Sequence, residues 1–259
     1  MKASQPCALV TGGSRGIGRA IALALAETGY AVAVNYYKGE AQAEEVVGAI
    51  NAKGGEAFAV QADVAAEADV VHLFAAVKER WGRLDVLVNN AGWENAHHAI
   101  DMPSTDWDRA IGINLTGTFL CAQQAARLME AGGGSIINNL SIHDEVPRKG
   151  FAHYCSAKAG GLMLTKCLAL EWAEYGIRVN AVSPGAIETD INREEIEAFG
   201  REKFNAAIPL GRVGEVSDIT SLVLFLAGGQ SRYVTGTTLY ADGGYRLTTV
   251  PYDPRPPRT

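Results

Sequence analysis

Tyr154 and Lys158 stand four residues apart in the stretch A-H-Y-C-S-A-K, residues 152–158. On a helix that spacing sets a phenol and an ammonium one turn apart on the same face. A phenol with a pKa of about 10 is a weak base at neutral pH, and a positive neighbour favours its phenolate. Oxidising an alcohol or hemiacetal needs such a base, because the hydroxyl proton must be taken while hydride leaves the same carbon. The chain holds 9 Tyr and 8 Lys among 259 residues, so about 0.3 Tyr-x-x-x-Lys pairs arise by chance. The pair therefore needs company. Ser141 and Asn114 lie upstream; taken singly, a serine can end a strand, an asparagine can satisfy itself in a helix and a lysine can be solvated. Cys155, between the two, reads as a packing residue, since no motif-level base accompanies it.

The elements that must position these groups are legible as an alternation. Short apolar runs at 7–11, 31–35, 57–61, 85–89, 135–140, 177–182 and 237–240 alternate with segments of helical period near 17–28, 41–53, 67–80, 105–130, 153–175 and 215–227. Strands apolar on both faces and separated by helices predict a parallel sheet covered on both sides. The expectation is an α/β single-domain Rossmann fold over residues 1–259, a doubly wound seven-stranded parallel sheet. At 259 residues with 47% hydrophobic content, one core can hide roughly 70–75% of the unfolded surface. A lid is expected at about 190–208, and the Pro-rich end at 251–259 reads as a tail.

The first strand runs into T-G-G-S-R-G-I-G, with Gly12, Gly16 and Gly18 ahead of a helix. Glycines there permit a tight turn and close backbone approach, and the N–H groups and positive end of the helix suit a diphosphate. A glycine turn in this place, after strand one of a βαβ unit, predicts a dinucleotide site. NAD-selective sites usually end strand two with a carboxylate on the adenosine ribose. Here Asn35, Tyr36, Tyr37 and Lys38 follow instead, and Arg15 in the glycine loop can pair with a ribose phosphate. The cofactor expected is NADP or NAD, with NADP favoured and dual use close behind.

Taken together, T-G-x-x-x-G-x-G, N-N-A-G at 89–92, Asn114, Ser141, Tyr154 with Lys158, and Pro184-Gly185 resemble the short-chain dehydrogenase/reductase family along nearly the whole chain. The resemblance implies roles. Tyr154 is the base, Lys158 lowers its pKa and binds the nicotinamide ribose, Ser141 steadies the substrate oxygen, and Asn114 holds a water for proton relay. Asp63, with Val64 beside it, contacts adenine. Asn90, Ala91 and Gly92 line the cofactor cleft, Ser14 and Ile17 complete the glycine loop, and 184–189 wraps the nicotinamide end with Ile187 and Thr189 on the carboxamide. The family also implies a homotetramer.

Within the family, N-N-A-G-W-E-N (89–95), S-I-H-D-E-V-P (141–147), P-G-A-I-E-T-D-I-N (184–192) and Y-V-T-G-T-T-L-Y-A-D-G-G (233–244) resemble the bacterial glucose 1-dehydrogenase branch. That implies oxidation of an aldose at C1 to a lactone, with Glu94, Asn95 and His143 facing a polyhydroxylated ligand. Arg148-Lys149-Gly150 departs from the bulky apolar residues of that branch, and with His97-His98 it forms a local positive cluster in an acidic protein. This suggests a sugar bearing a carboxylate, sulfonate or phosphate, clamped by Arg148 or Lys149, with Arg193 and Arg201 as further anion contacts. The competing reading is a 3-oxoacyl-thioester reductase, because T-G-G-S-R-G-I-G-R-A-I-A and V-N-Y are shared with that branch. A binding protein that lost turnover would lack Ser141, Tyr154 or Lys158, and all three are present.

A net charge of −6 and a pI near 5.4 argue against a nucleic-acid partner. The cysteines, Cys7, Cys121, Cys155 and Cys167, form no C-x-x-C pair and no metal cluster with His, so they read as reduced thiols of a cytoplasmic protein. No signal-peptide stretch and no 18-residue apolar run is seen, which predicts a protein without a membrane partner.

Overall fold

Val- and Ala-rich segments buried on both faces form the centre of the molecule, as a parallel sheet requires. The computed structural model describes residues 5–189 and 193–248. Its strands are β1 (Cys7–Val10), β2 (Ala31–Tyr36), β3 (Ala57–Gln61), β4 (Val86–Asn89), β5 (Gly134–Asn139), β6 (Ile177–Pro184) and β7 (Thr238–Ala241). They form one seven-stranded sheet in the order β3-β2-β1-β4-β5-β6-β7, and each neighbouring pair is parallel. The fold is the expected single-domain, doubly wound α/β sheet. Its order reverses between β1 and β4, and there a crevice opens outside the carboxyl ends of the strands.

The helices are α1 (Gly16–Glu27), α2 (Glu40–Ala52), α3 (Glu67–Trp81), α4 (Ser104–Ile111), α5 (Gly117–Met129), α6 (Ala152–Glu171), α7 (Arg193–Phe199), α8 (Arg201–Ala207) and α9 (Val216–Ala227). On one face Ile21 and Leu25 of α1, Val46 and Ile50 of α2, and Ile219 and Leu226 of α9 pack against β1 and β2. On the other, Leu73 of α3, Cys121 and Ala125 of α5, and Leu168 of α6 pack against Leu9, Leu87 and Ile136. No helix among the described residues is long and apolar enough to cross a membrane.

The sequence pattern differs from the structure in one functional place. The single helix expected over 105–130 is broken by a π-helical turn, Gly112–Thr116, which carries Asn114. Gly117 closes it: a Cβ there would meet the Val64 carbonyl oxygen at 2.7 Å. Hydrophobic periodicity cannot register this turn, because one wide turn shifts the helical phase without changing which residues are apolar. The expected lid contains α7 and α8, with 190–192 outside the described residues; the tail at 251–259 lies outside them as well.

Ile136 is fully buried in β5, between the two strands that carry the site. Ile136→Ala is expected to cost about 2–5 kcal/mol of stability, measured as a lowered urea midpoint at unchanged m-value.

Candidate active site

Polar side chains at the carboxyl ends of the strands assemble the site. The Asn90 side-chain nitrogen donates to the carbonyls of Thr11 and Gly12, both at 3.0 Å, and its backbone N–H donates to the Thr11 hydroxyl. Its amide oxygen accepts from Asn139 Nδ2 at 2.9 Å, and the Asn139 carbonyl accepts from Lys158 Nζ at 2.9 Å. One line of hydrogen bonds thus runs from the glycine loop to the expected catalytic lysine.

The glycine loop fits a dinucleotide diphosphate. Gly12 and Gly16 have φ of 60° and 54°, in the left-handed region. A Cβ on Gly18 would meet the Gly12 carbonyl oxygen at 2.2 Å and Asn90 Nδ2 at 2.4 Å, so only glycine allows this approach. The first turn of α1 has no side-chain cap and no acidic residue, which keeps its N–H end available to an anion. Beside it lies a cavity of about 190 Å³ lined by Gly16, Arg19, Ala20, Glu188, Thr189, Arg193 and Val216. Ser14 is buried within the loop, Ile17 packs against the core, and Arg15 is exposed at the start of α1.

At the adenosine end the structure corrects one expectation. Asn35 does not face a ribose: it is 1% exposed, its amide oxygen accepts from Gly12 N at 3.2 Å, and its nitrogen donates to the carbonyls of Tyr36, Val60 and Ala62. Its place is structural, bracing the glycine loop against β3. Tyr36 is buried too, and Tyr37 is the first exposed residue beyond the strand. The Arg109 guanidinium of α4 lies 5.1 Å from the Tyr37 ring and pairs with Asp63 Oδ2 at 2.8 Å, and Lys38 Nζ lies 5.5 Å from the same ring. Asp63 also accepts from Ala65 N, and Val64 is buried against Gly117. Sequence reasoning missed Arg109, because nothing along the chain links α4 to the end of β2.

Ser141, Tyr154 and Lys158 converge. Ser141 caps a short 3-10 turn, Ile142–Asp144, and its Oγ accepts from His143 N at 3.2 Å, which leaves its own proton for another acceptor. It lies close enough to the Tyr154 phenol to favour the phenolate. Lys158 Nζ sits 5.5 Å from the Tyr154 ring centre. Both groups are perturbed by burial. The Tyr154 phenol is raised above its usual value of 10 by loss of water and by Glu94, opposed by the nearby Ser141 hydroxyl and by Arg148. Burial lowers the Lys158 ammonium to about 8, opposed by Glu94 and Asp144. The lysine expected to ease ionisation of the tyrosine is thus itself disfavoured as a cation by the same burial.

Asn114 is buried. Its Nδ2 donates to the Trp93 carbonyl at 2.7 Å and to the Ala110 carbonyl, while its Oδ1 accepts from Trp93 N at 3.3 Å. It anchors the segment after β4 against the π turn, next to Gly92, whose Cβ would lie 3.1 Å from Asn114 Oδ1. Ala91 is fixed through its N–H to the Thr11 hydroxyl. Pro184 ends β6, Gly185 N donates to the Ala241 carbonyl, and Thr189 lines the cavity. Ile187 has its side chain in the core, so a carboxamide contact from it would have to come from its main chain.

The expected substrate residues divide. Glu94 and Arg148 pair at 3.2 Å across the site, and Arg148 stacks 3.7 Å from the Phe151 ring centre. His143 Nδ1 lies 2.9 Å from the Val146 carbonyl, which only accepts, so Nδ1 carries a proton; its ring is 6.4 Å from that of Tyr154. Asn95 and His97 are tied elsewhere. Asn95 donates to Asp106 at 2.8 Å and its oxygen faces His153 Nε2 at 2.8 Å, while His97 Nε2 meets Asp106 at 2.7 Å. His153 is fully buried. Its position beside Tyr154 was visible in the sequence, but its partners on other elements were not. Lys149 is exposed; Arg193 and Arg201 both pair with Glu188 at 2.7 Å.

A glycine loop suited to a diphosphate at the switch point of a parallel sheet, near Ser141, Tyr154 and Lys158, is the arrangement of a nucleotide-dependent oxidoreductase. Comparison with known proteins agrees. Residues 12–246 match a family model described as enoyl-(acyl carrier protein) reductase. The 3-oxoacyl-(acyl-carrier-protein) reductase FabG of Staphylococcus aureus is 45% identical over 238 residues, 92% of this chain and 96% of the relative. The acetoin dehydrogenase structure from Enterobacter cloacae is 37% identical with a TM-score of 0.89, covering 98% of this chain and 100% of that one. A gluconate 5-dehydrogenase from Burkholderia cenocepacia, in complex with NADP and tartrate, is 36% identical with a TM-score of 0.89, covering 95% and 97%. The chain belongs to the short-chain dehydrogenase/reductase family and is an NAD(P)-dependent oxidoreductase.

Tyr154→Phe is expected to lower kcat by about 10²–10⁴-fold while cofactor binding, read by quenching of protein fluorescence, persists. A second outcome concerns stability. The folded-state value of Lys158 is about 8 against an ordinary 10.5, so between those pH values the unfolded chain binds the extra proton and stability rises with pH. Urea midpoints taken between pH 8 and 10 should therefore rise more steeply for the native protein than for Lys158→Met.

Proposed function

We propose that this enzyme oxidises a small polyhydroxylated substrate, an aldose at C1, to its lactone. The observation that carries the reading is the wall around Tyr154: the Glu94–Arg148 pair on one side and His143 beside Ser141 on the other. Such a wall offers both donors and acceptors to ring hydroxyls. The bound nicotinamide would accept hydride; the residues hold the rest of the reaction. Ser141, its lone pair engaged by His143 N, donates to the substrate oxygen. Tyr154 takes the hydroxyl proton as phenolate, and Lys158, held by the Asn139 carbonyl, supplies the positive charge that favours that form. The glycine loop, Asn90 and 184–189 would bind the cofactor.

An anionic sugar is a narrower version of the same reading. Arg148 already pairs with Glu94, so a substrate carboxylate or phosphate would have to displace Glu94 or be met by Lys149. Neutral aldoses place no such demand. For the cofactor, the exposed Arg15 and the Lys38, Tyr37 and Arg109 group support NADP, with NAD also used. Exposed Phe119 on α5 with Met163 and Leu170 on α6 support pairing of these helices in a homotetramer, and reduced cysteines fit the cytoplasm.

A second reading, reduction of a 3-oxoacyl thioester, is favoured by the 45% identity to the S. aureus reductase. Absorbance at 340 nm separates the two. With NADP and NAD, neutral aldoses should give turnover, and acidic aldoses such as uronates and sugar 6-phosphates less. Acetoacetyl thioester with reduced cofactor should run at least about tenfold lower in kcat/KM. Faster thioester reduction than aldose oxidation would overturn the sugar reading.

A further inference from the structure

The turn that bears Ser141 ends on Asp144, a carboxylate that the proposed mechanism does not use. It is 6% exposed. Its Oδ2 accepts a short hydrogen bond from Ser183 Oγ at the end of β6, and its Oδ1 accepts from Tyr240 OH of β7 at 3.2 Å. Its backbone N–H donates to the Ser141 carbonyl at 2.9 Å. Ser183 is fully buried and directly precedes Pro184-Gly185. The neighbouring Glu145 pairs with Arg246 at 3.0 Å, and Arg246 stacks 3.9 Å from the Tyr240 ring centre. Among the described residues no ion pair involves Asp144.

Burying a carboxylate on two hydroxyls, with no cation in contact, is costly. The groups around it show what could offset that cost. Glu145 and His143 share its turn, Ser183 meets it from β6 and Tyr240 from β7, Arg246 lies beyond, and its charge acts on Lys158 of α6, as does that of Glu94. Lys158 is the buried cation of this set. We propose that Asp144 is a positioning residue. Anchored by Ser183 and Tyr240, its carboxylate fixes the Ser141 turn against the ends of β6 and β7 and, with Glu94, supports the charge of the Lys158 ammonium.

Each charge favours the other. Lys158 opposes the burial-driven rise of the Asp144 carboxyl, and Asp144 opposes the burial-driven fall of the Lys158 ammonium. Burial raises the Asp144 carboxyl, and the Ser183 and Tyr240 hydroxyls oppose that rise, so both anchors favour its ionised form. The same anchors join the catalytic turn to the strand end entering 184–189, which ties the position of Ser141 to the nicotinamide side of the cleft.

The inference rests on Tyr154 and Lys158 being the working pair, and its test separates the two. In cofactor-free protein labelled at lysine Cε with carbon-13, the Lys158 resonance is assigned by its loss in Lys158→Met and titrated. Asp144→Asn should lower its midpoint by about half a pH unit or more, a threefold change in ionisation. It should also reduce kcat by about tenfold at pH 7 with the KM for cofactor within about threefold. An unmoved midpoint or an unchanged kcat overturns the inference. Should Asp144→Asn fail to fold, Ser183→Ala and Tyr240→Phe each remove one donor and keep the carboxylate. Both should lower kcat several-fold at unchanged cofactor KM, and wild-type kcat in both overturns it. Tyr154→Phe is the control: if it keeps full turnover, the active-site reading has failed, and the Lys158 midpoint still decides the role of Asp144.

Discussion

Asn90 joins two halves that the chain makes separately. A parallel sheet sends every strand end to one side, where backbone carbonyls and N–H groups lose their ladder partners and must find others. Asn90 meets this need for Thr11 and Gly12 just beyond β1 and, through Asn139, for β5. Because Lys158 then donates to the Asn139 carbonyl, a displacement of the glycine loop is felt at Lys158. Asn35 does the same work on the other side of the loop. The glycine loop and Lys158 are thus joined by one hydrogen-bonded seam.

That seam is buried, and burial sets the electrostatics. It holds the Tyr154 phenol protonated and disfavours the Lys158 ammonium. Nearby groups act against it: the Ser141 hydroxyl and Arg148 for the phenolate, Glu94 and Asp144 for the ammonium. Glu94 acts with the same sign on the two groups, raising both values, so it favours the neutral phenol and the charged lysine together. A carboxylate in that position holds the pair in its resting protonation state. Its partner Arg148 pulls Tyr154 the other way. Any ligand that separates Glu94 from Arg148 therefore also changes the setting of the base.

The outer shell shows how ion pairs shape a substrate wall without filling it. Asn95, His97, Asp106 and His153 form one cluster that clamps the segment after β4 to α4 and α6. Asn114 pins the same segment from below through Trp93. Glu94 is carried between these two anchors. Its reach toward Arg148 is a property of the clamp as much as of its own side chain.

Much of this was legible in the sequence. The alternation of buried strands with amphipathic helices determined the sheet, because periodicity records which face of each element meets the core. The glycine spacing determined the diphosphate cradle, since φ near +60° and a 2.2 Å approach at Gly18 leave no room for a side chain. Ser141, Tyr154 and Lys158 were found by type and spacing, and they converge. The tertiary structure alone decided who partners whom. Asn35 turns inward, Arg148 is taken by Glu94, Arg193 and Arg201 by Glu188, and Asp144 is buried on Ser183 and Tyr240. The reason is physical: local pattern fixes backbone conformation and facing, whereas the partner of a charged or polar side chain depends on which strand ends and loops the finished fold brings within about 3 Å.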